Sequence, residues 1–145
     1  MDETKKIDLK NTEVRELNRM LQKRDGNNFN YFNIINPMGA HAIATGLDNE
    51  IDVLIDGHVG YYCAGMNQQS SVTINGNAGV GVAENMMSGQ VVVKGDASQS
   101  AGATGHGGLL VIKGNASARC GISMKGIDIV VGGSCLLYTS PSPRD

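Results

Sequence analysis

The sequence predicts an all-β protein, a parallel β-helix (solenoid) of 19-residue coils preceded by a short N-terminal helix. Three observations predict it. Five glycines, Gly57, Gly76, Gly95, Gly114 and Gly133, stand 19 residues apart. Ahead of each lies an apolar–x–apolar pair: Val53 and Ile55, Val72 and Ile74, Val91 and Val93, Leu110 and Ile112, Ile129 and Val131. Behind each comes a turn-prone residue (His58, Asn77, Asp96, Asn115, Ser134), and then, in four of the five, a small apolar one (Val59, Ala78, Ala97, Ala116). Alternating β-branched residues closed by glycine describe a half-buried strand running into a turn.

From the N-terminus, residues 1–30 read as a helix and linker. Asn11 or Thr12 can cap the helix, Glu13 and Glu16 suit its first turn, and Lys23 and Arg24 its last, before Gly26. Val14, Leu17, Met20 and Leu21 form one apolar stripe. That stripe fits a cap over the open end of the solenoid, or else a docking helix for a partner. The Asn-rich stretch 25–30 reads as the linker.

The solenoid spans residues 31–134, with an irregular first coil over 36–52. One coil cannot bury its apolar face alone, so coils stack about 4.8 Å apart and equivalent residues form ladders along the axis. The inward ladders are Val, Ile, Ala and Cys, which implies a narrow core. The His/Asn/Asp/Ser ladder marks a corner where side chains satisfy turn backbone. The glycines at that corner supply positive φ and let coils approach closely. With aromatics at 4% and no Trp, the composition suits thin stacked layers better than one bulky core.

Residues 135–145, CLLYTSPSPRD, break the repeat. Leu136, Leu137 and Tyr138 stand where small residues belong, and Pro141 and Pro143 withhold two ladder donors. The string resembles one reading frame of a transposon-based sequencing adapter and is read as library DNA translated after a truncated gene, not as native sequence.

Charge and motif exclude several functions. Twelve basic and fourteen acidic residues give a net charge of −2, which makes no case for nucleic acid or an anionic membrane. No apolar run follows the start and none approaches a membrane-spanning length, so a cytoplasmic location is expected. The stretch Gly76–Gly81 has glycines at relative positions one, four and six, the wrong spacing for a dinucleotide fingerprint. The run Gly102–Gly108 lacks the Gly-Lys-Ser/Thr ending of a phosphate loop. His41, His58 and His106 fall on different ladders, so a three-ligand metal site is not expected. Cys63 and Cys120 sit three coils, about 14 Å, apart, too far for a disulfide, and read as small core residues. Glu84, Arg119 and Lys125 read as lone charges.

Other solenoids fit less well. A strict 19-residue period breaks hexapeptide register within two turns, acidic residues are too sparse for calcium-binding nonapeptides, and there are no threonine ladders of the ice-binding kind. A self-contained enzyme or ligand-binding solenoid would have to use the Gly-rich corner around His106, with an acid or thiol beside it. A self-assembling solenoid pairing through its open end is a third possibility.

The strings IDGHVGYYCAGMNQ, NGNAGVGVAENMMSG, GDASQSAGATGHGG and GNASARCGISMKGIDIVVGGS resemble the GXGXG domain of the glutamate synthase family. They are most similar to its free-standing form, the GXGXG subunit of methylamine–glutamate N-methyltransferase, or N-methylglutamate synthase. A subunit of formylmethanofuran dehydrogenase is a more distant likeness. The resemblance covers about residues 7–134. It implies a right-handed β-helix without catalytic, metal-binding or cofactor-binding residues of its own. FMN and an iron–sulfur cluster are expected in a partner subunit. The implied partners are a glutamine amidotransferase-type subunit and an FMN-binding glutamate synthase-type subunit, which this chain would brace. The implied chemistry is N-methylglutamate synthesis or related glutamate chemistry.

Overall fold

A computed structural model describes residues 3–117 and 120–134. The string 135–145 and Arg119, both singled out above, lie outside the described residues. The fold is a parallel β-solenoid with 19-residue coils and one short helix. Seven strands form a single parallel sheet in sequence order: β1 (Thr4–Asp8), β2 (Tyr31–Ile35), β3 (Asp52–Asp56), β4 (Ser71–Asn75), β5 (Gln90–Val93), β6 (Leu109–Ile112) and β7 (Asp128–Val131). From β3 onward each strand pairs with the next one full repeat later, as Val53↔Val72, Val72↔Val91, Val91↔Leu110 and Leu110↔Ile129 show. The apolar pairs of β3 to β6 point inward and are buried, while Ile129 and Val131 of β7 are half-buried. The second apolar ladder forms as bridges Val59↔Ala78, Ala78↔Ala97 and Ala97↔Ala116.

The sheet starts earlier than the repeat does in sequence. Within residues 1–30, β1 pairs with β2 (Thr4↔Tyr31), so this segment is itself a first coil, enlarged by the insertion of α1 (Val14–Leu21). The next coil, from Tyr31 to its register mate Asp52, is also longer than the repeat. Its extra length falls in two bends, one between Ile35 and Gly39 and one between Gly46 and Asp52. Backbone bonds between them (Gly39 N–H to His58, Gly46 N–H to Gly65) keep an intermediate register. Met38 stands 78% exposed on the first bend.

Neither Asn11 nor Thr12 caps α1. The N-cap is Glu13, with no side-chain cap bond. The helix is held instead by its apolar stripe, with Leu17 and Leu21 fully buried and Val14 and Met20 packed against the same core. Its polar residues close the turn backbone beneath it. Asn18 donates to the Ala42 carbonyl (2.9 Å) and accepts from Ala44 N–H (2.8 Å), and Gln22 donates to the Thr45 carbonyl (2.9 Å). The stripe is therefore consumed in capping the solenoid, not offered to a partner.

The corner ladder works as expected, but the glycines serve it differently. His58 Nδ1 accepts Asn77 N–H (2.9 Å), Asn77 Oδ1 accepts Asp96 N–H, Asp96 Oδ1 accepts Asn115 N–H, and Asn115 Oδ1 accepts Ser134 N–H (2.8 Å each). Each side chain thus satisfies the backbone of the next coil. Positive φ occurs only at Gly57 (+135°) among the five repeat glycines. The other four are required by contact. A Cβ on Gly76 would stand 2.6 Å from the Gly57 carbonyl, and one on Gly95, Gly114 or Gly133 would fall on the ladder side chain crossing it.

Much of the left-handed backbone sits in the turns that follow the second apolar ladder, mostly on residues other than glycine. Tyr62, Gly81 and Ser100 form one such ladder, Ala64, Ala83, Gly102 and Gly121 a second, and Met66, Asn85, Thr104 and Ser123 a third, all with φ between +54° and +78°. Every second residue bends back, so the chain makes a tight run of turns that bonds alternately forward and backward. Tyr62 N–H reaches Val80 in the next coil and Ala64 N–H reaches Ile43 in the previous one.

Candidate functional site

The Gly-rich run around His106 lies in these turns, and its backbone is already committed. Gly102 N–H bonds to Val82, Thr104 to Ile122, Gly105 to Gly102, and His106 and Gly107 to Met86. A phosphate cradle needs such donors turned toward the ligand. The glycines have local causes: left-handed φ at Gly102 (+68°) and Gly108 (+88°), close packing on Ile127 at Gly105, and on the Met87 carbonyl at Gly107. His106 is exposed, and one coil away its ladder neighbours are Met87 and Lys125, neither an acid nor a thiol. The run Gly76–Gly81 is accounted for in the same way. Asn77, Ala78, Gly79 and Gly81 give their N–H groups to neighbouring coils.

Two of the three histidines are backbone acceptors. His58 Nδ1 belongs to the corner ladder, and His41 Nδ1 accepts Tyr61 N–H at 2.8 Å. Among the described residues no group of three or more His, Cys, Asp and Glu is placed to hold a metal ion. Cys63 is fully buried between ladder mates Ile43 and Val82, and burial pushes its thiol up to about 12. Cys120 is half-buried against the same core, and no disulfide joins the two.

Other polar groups are structural. The Asp56 carboxyl is held below the usual carboxylate range by the side-chain amides of Asn33 (2.9 Å) and Asn75 (3.2 Å). Asn67, fully buried in an otherwise apolar ladder, donates to the Ser70 (2.8 Å) and Ser88 (3.1 Å) carbonyls and so ties two coils together. Nothing in its surrounding sequence marks that role.

The sequence also gives no sign of an aromatic corner on the left-handed turns. Tyr61 and Tyr62 are half-exposed and held in place there, Tyr61 with its centroid 4.6 Å from His41 and 6.2 Å from Tyr62 in an edge-to-face pair. The Tyr62 ring covers Gly81, and Glu84 Oε2 comes to the same spot, 3.2 Å from where a Cβ would be. Met66, bonded through its backbone to the Glu84 carbonyl, is 52% exposed. Tyr62 (φ +60°) and Met66 (φ +57°) both occupy left-handed backbone, which costs an L residue roughly 1–2 kcal/mol. Their ladder mates are Gly81 and Ser100, and Asn85, Thr104 and Ser123; Gly81 and Asn85 suit such backbone, while Ser100, Thr104 and Ser123 bear the same strain with small polar side chains.

No described helix is long and apolar enough to cross a membrane. Neither a family model nor a solved structure matches the chain. Over 60 residues it is 62% identical to Protein GlxC of Rhizobium meliloti (strain 1021). That match takes in 41% of this chain and only 26% of GlxC, well under two thirds of the relative's length; over that stretch the chain is a homologue of GlxC.

Proposed function

We propose that this chain is a non-catalytic, cytoplasmic scaffold subunit of a glutamate synthase-like complex. In that complex it braces a glutamine amidotransferase-type subunit against an FMN-binding subunit that also carries the iron–sulfur cluster. The complex makes N-methylglutamate from methylamine and glutamate. The observation that carries this reading is the closure of the Gly-rich corners by their own backbone. What remains for function is side-chain surface on a rigid rod. The GXGXG-like strings of the sequence support the choice of complex, and the 62% identity to Protein GlxC over 60 residues supports common descent over that stretch.

The test is co-purification of the tagged, full-length protein expressed with its chromosomal neighbours. Retained proteins are read by mass and FMN by absorbance. Both partner types and bound FMN are expected in the eluate. Recovery of the protein alone, without flavin, would sink the reading.

A further inference from the structure

We infer that the corner built from His41, Tyr61, Tyr62, Met66 and Glu84 is a docking surface for a partner protein. It takes a lysine or arginine side chain carried on an apolar loop. The inference rests on the scaffold reading and names the face that reading leaves open.

Two independent observations point to this corner. The first is that its residues work against their own backbone. Tyr62 and Met66 stand in left-handed conformation where later coils place Gly81 and Ser100, or Asn85, Thr104 and Ser123. Both bulky side chains nevertheless leave about half their surface in water. Later coils make the same turns with small or polar residues, so the coil itself does not require bulky ones there, and strain and exposed apolar surface held together are features of binding sites. The second is preorganisation. Tyr61 stacks on His41 and meets Tyr62 edge to face, so the rings are set before anything binds and less side-chain freedom is lost on association.

Charge chooses the occupant. The faces of tyrosine rings attract cations, and the Glu84 carboxylate adds a full negative charge beside Tyr62. Among the described residues no hydrogen bond or ion pair engages that carboxylate. A cationic side chain complements both, and Met66 supplies an adaptable apolar floor for the loop that brings it. Tyrosine and methionine are enriched in protein interfaces, as is arginine on the opposing side.

The rival surface is the outer sheet face, where Leu54, Thr73, Val92, Val111 and Val130 form one ladder. These are ordinary strand residues in ordinary strand backbone, and they carry no comparable strain. They serve as the control.

The experiment is the same co-expression of full-length protein, with three variants. Tyr62→Ser/Met66→Asn takes the residues of later coils and is expected to melt no lower than wild type, yet to retain at least tenfold less partner. Glu84→Lys is expected to lose retention similarly, and Val92→Thr to retain partners fully. Retention of partners by both corner variants at the wild-type level would overturn the inference while leaving the scaffold reading intact. So would a lower Tm for the double variant, which would show that these side chains stabilise the coil. Failure of the wild type to retain any partner sinks the scaffold reading, and the docking corner with it.

Discussion

Gly95→Ala is expected to lower the unfolding free energy by about 2–4 kcal/mol, a large share of what a domain of this size holds. Gly95 is outside the left-handed region, so its backbone conformation does not oppose alanine. The opposition is spatial. The new methyl would fall on Asn77 Oδ1 and stand 2.8 Å from the Gly76 carbonyl. Asn77 would have to swing away and leave Asp96 N–H without the acceptor it now has at 2.8 Å. An orphaned backbone donor costs about 1–3 kcal/mol, and the carbonyl clash adds to it because coil spacing is fixed by the sheet. Gly26→Ala is the comparison. That glycine has φ +80° and nothing within 4 Å of a Cβ, so only the left-handed strain, about 1–2 kcal/mol, is at stake. Urea unfolding followed by circular dichroism separates the two. Equal losses would mean that the repeat glycines do not serve the polar ladder.

The second large effect is an alkaline loss of stability through Cys63. The ordinary value for its thiol is 9.0, and in the core burial pushes it up to about 12. The folded chain therefore holds this proton more tightly than the unfolded chain. The contribution is complete below about pH 9 and is lost progressively as pH rises toward 12. By pH 10.5 linkage puts the loss at about 2 kcal/mol. Lysines and tyrosines also titrate there, so the informative quantity is a difference between proteins. Cys63→Ala, which takes the residue of its ladder mate Ala101, should be moderately less stable at pH 7. Between pH 8 and 10.5 its stability should then fall less than that of wild type, by the same linkage amount of about 2 kcal/mol. Parallel pH profiles for the two proteins would refute the buried-thiol account.

The ladders were legible because in a solenoid the sequence period is the contact period. Val53, Val72, Val91 and Leu110 are one stack in space as they are one column in the alignment of repeats. The same logic placed His58, Asn77, Asp96 and Asn115 in one hydrogen-bonded file. What escaped lies where the period breaks. β1 was hidden because only Ile7 in it is buried. Lys5 occupies the other inward register at the open end, where its ammonium lies 5.7 Å from the Phe29 ring. The helix cap was misjudged because tertiary bonds from Asn18 and Gln22, not a local side chain, anchor α1. The Tyr62 and Met66 corner was invisible because residue type gives no hint that their backbone is left-handed. In later coils Gly81 and Asn85 would have suggested it, but the two bulky residues mask the pattern.

The central claim is that this chain contributes rigidity and surface but no reacting group. It is tested most directly by His106→Ala in the purified complex, because His106 is the exposed imidazole that a catalytic reading would require. If the proposed activity holds, steady-state formation of N-methylglutamate by the variant complex should keep kcat and KM within about twofold of wild type, with subunit content unchanged. A fall of tenfold or more in kcat, with the complex intact and its FMN retained, would contradict the account and place chemistry in this chain.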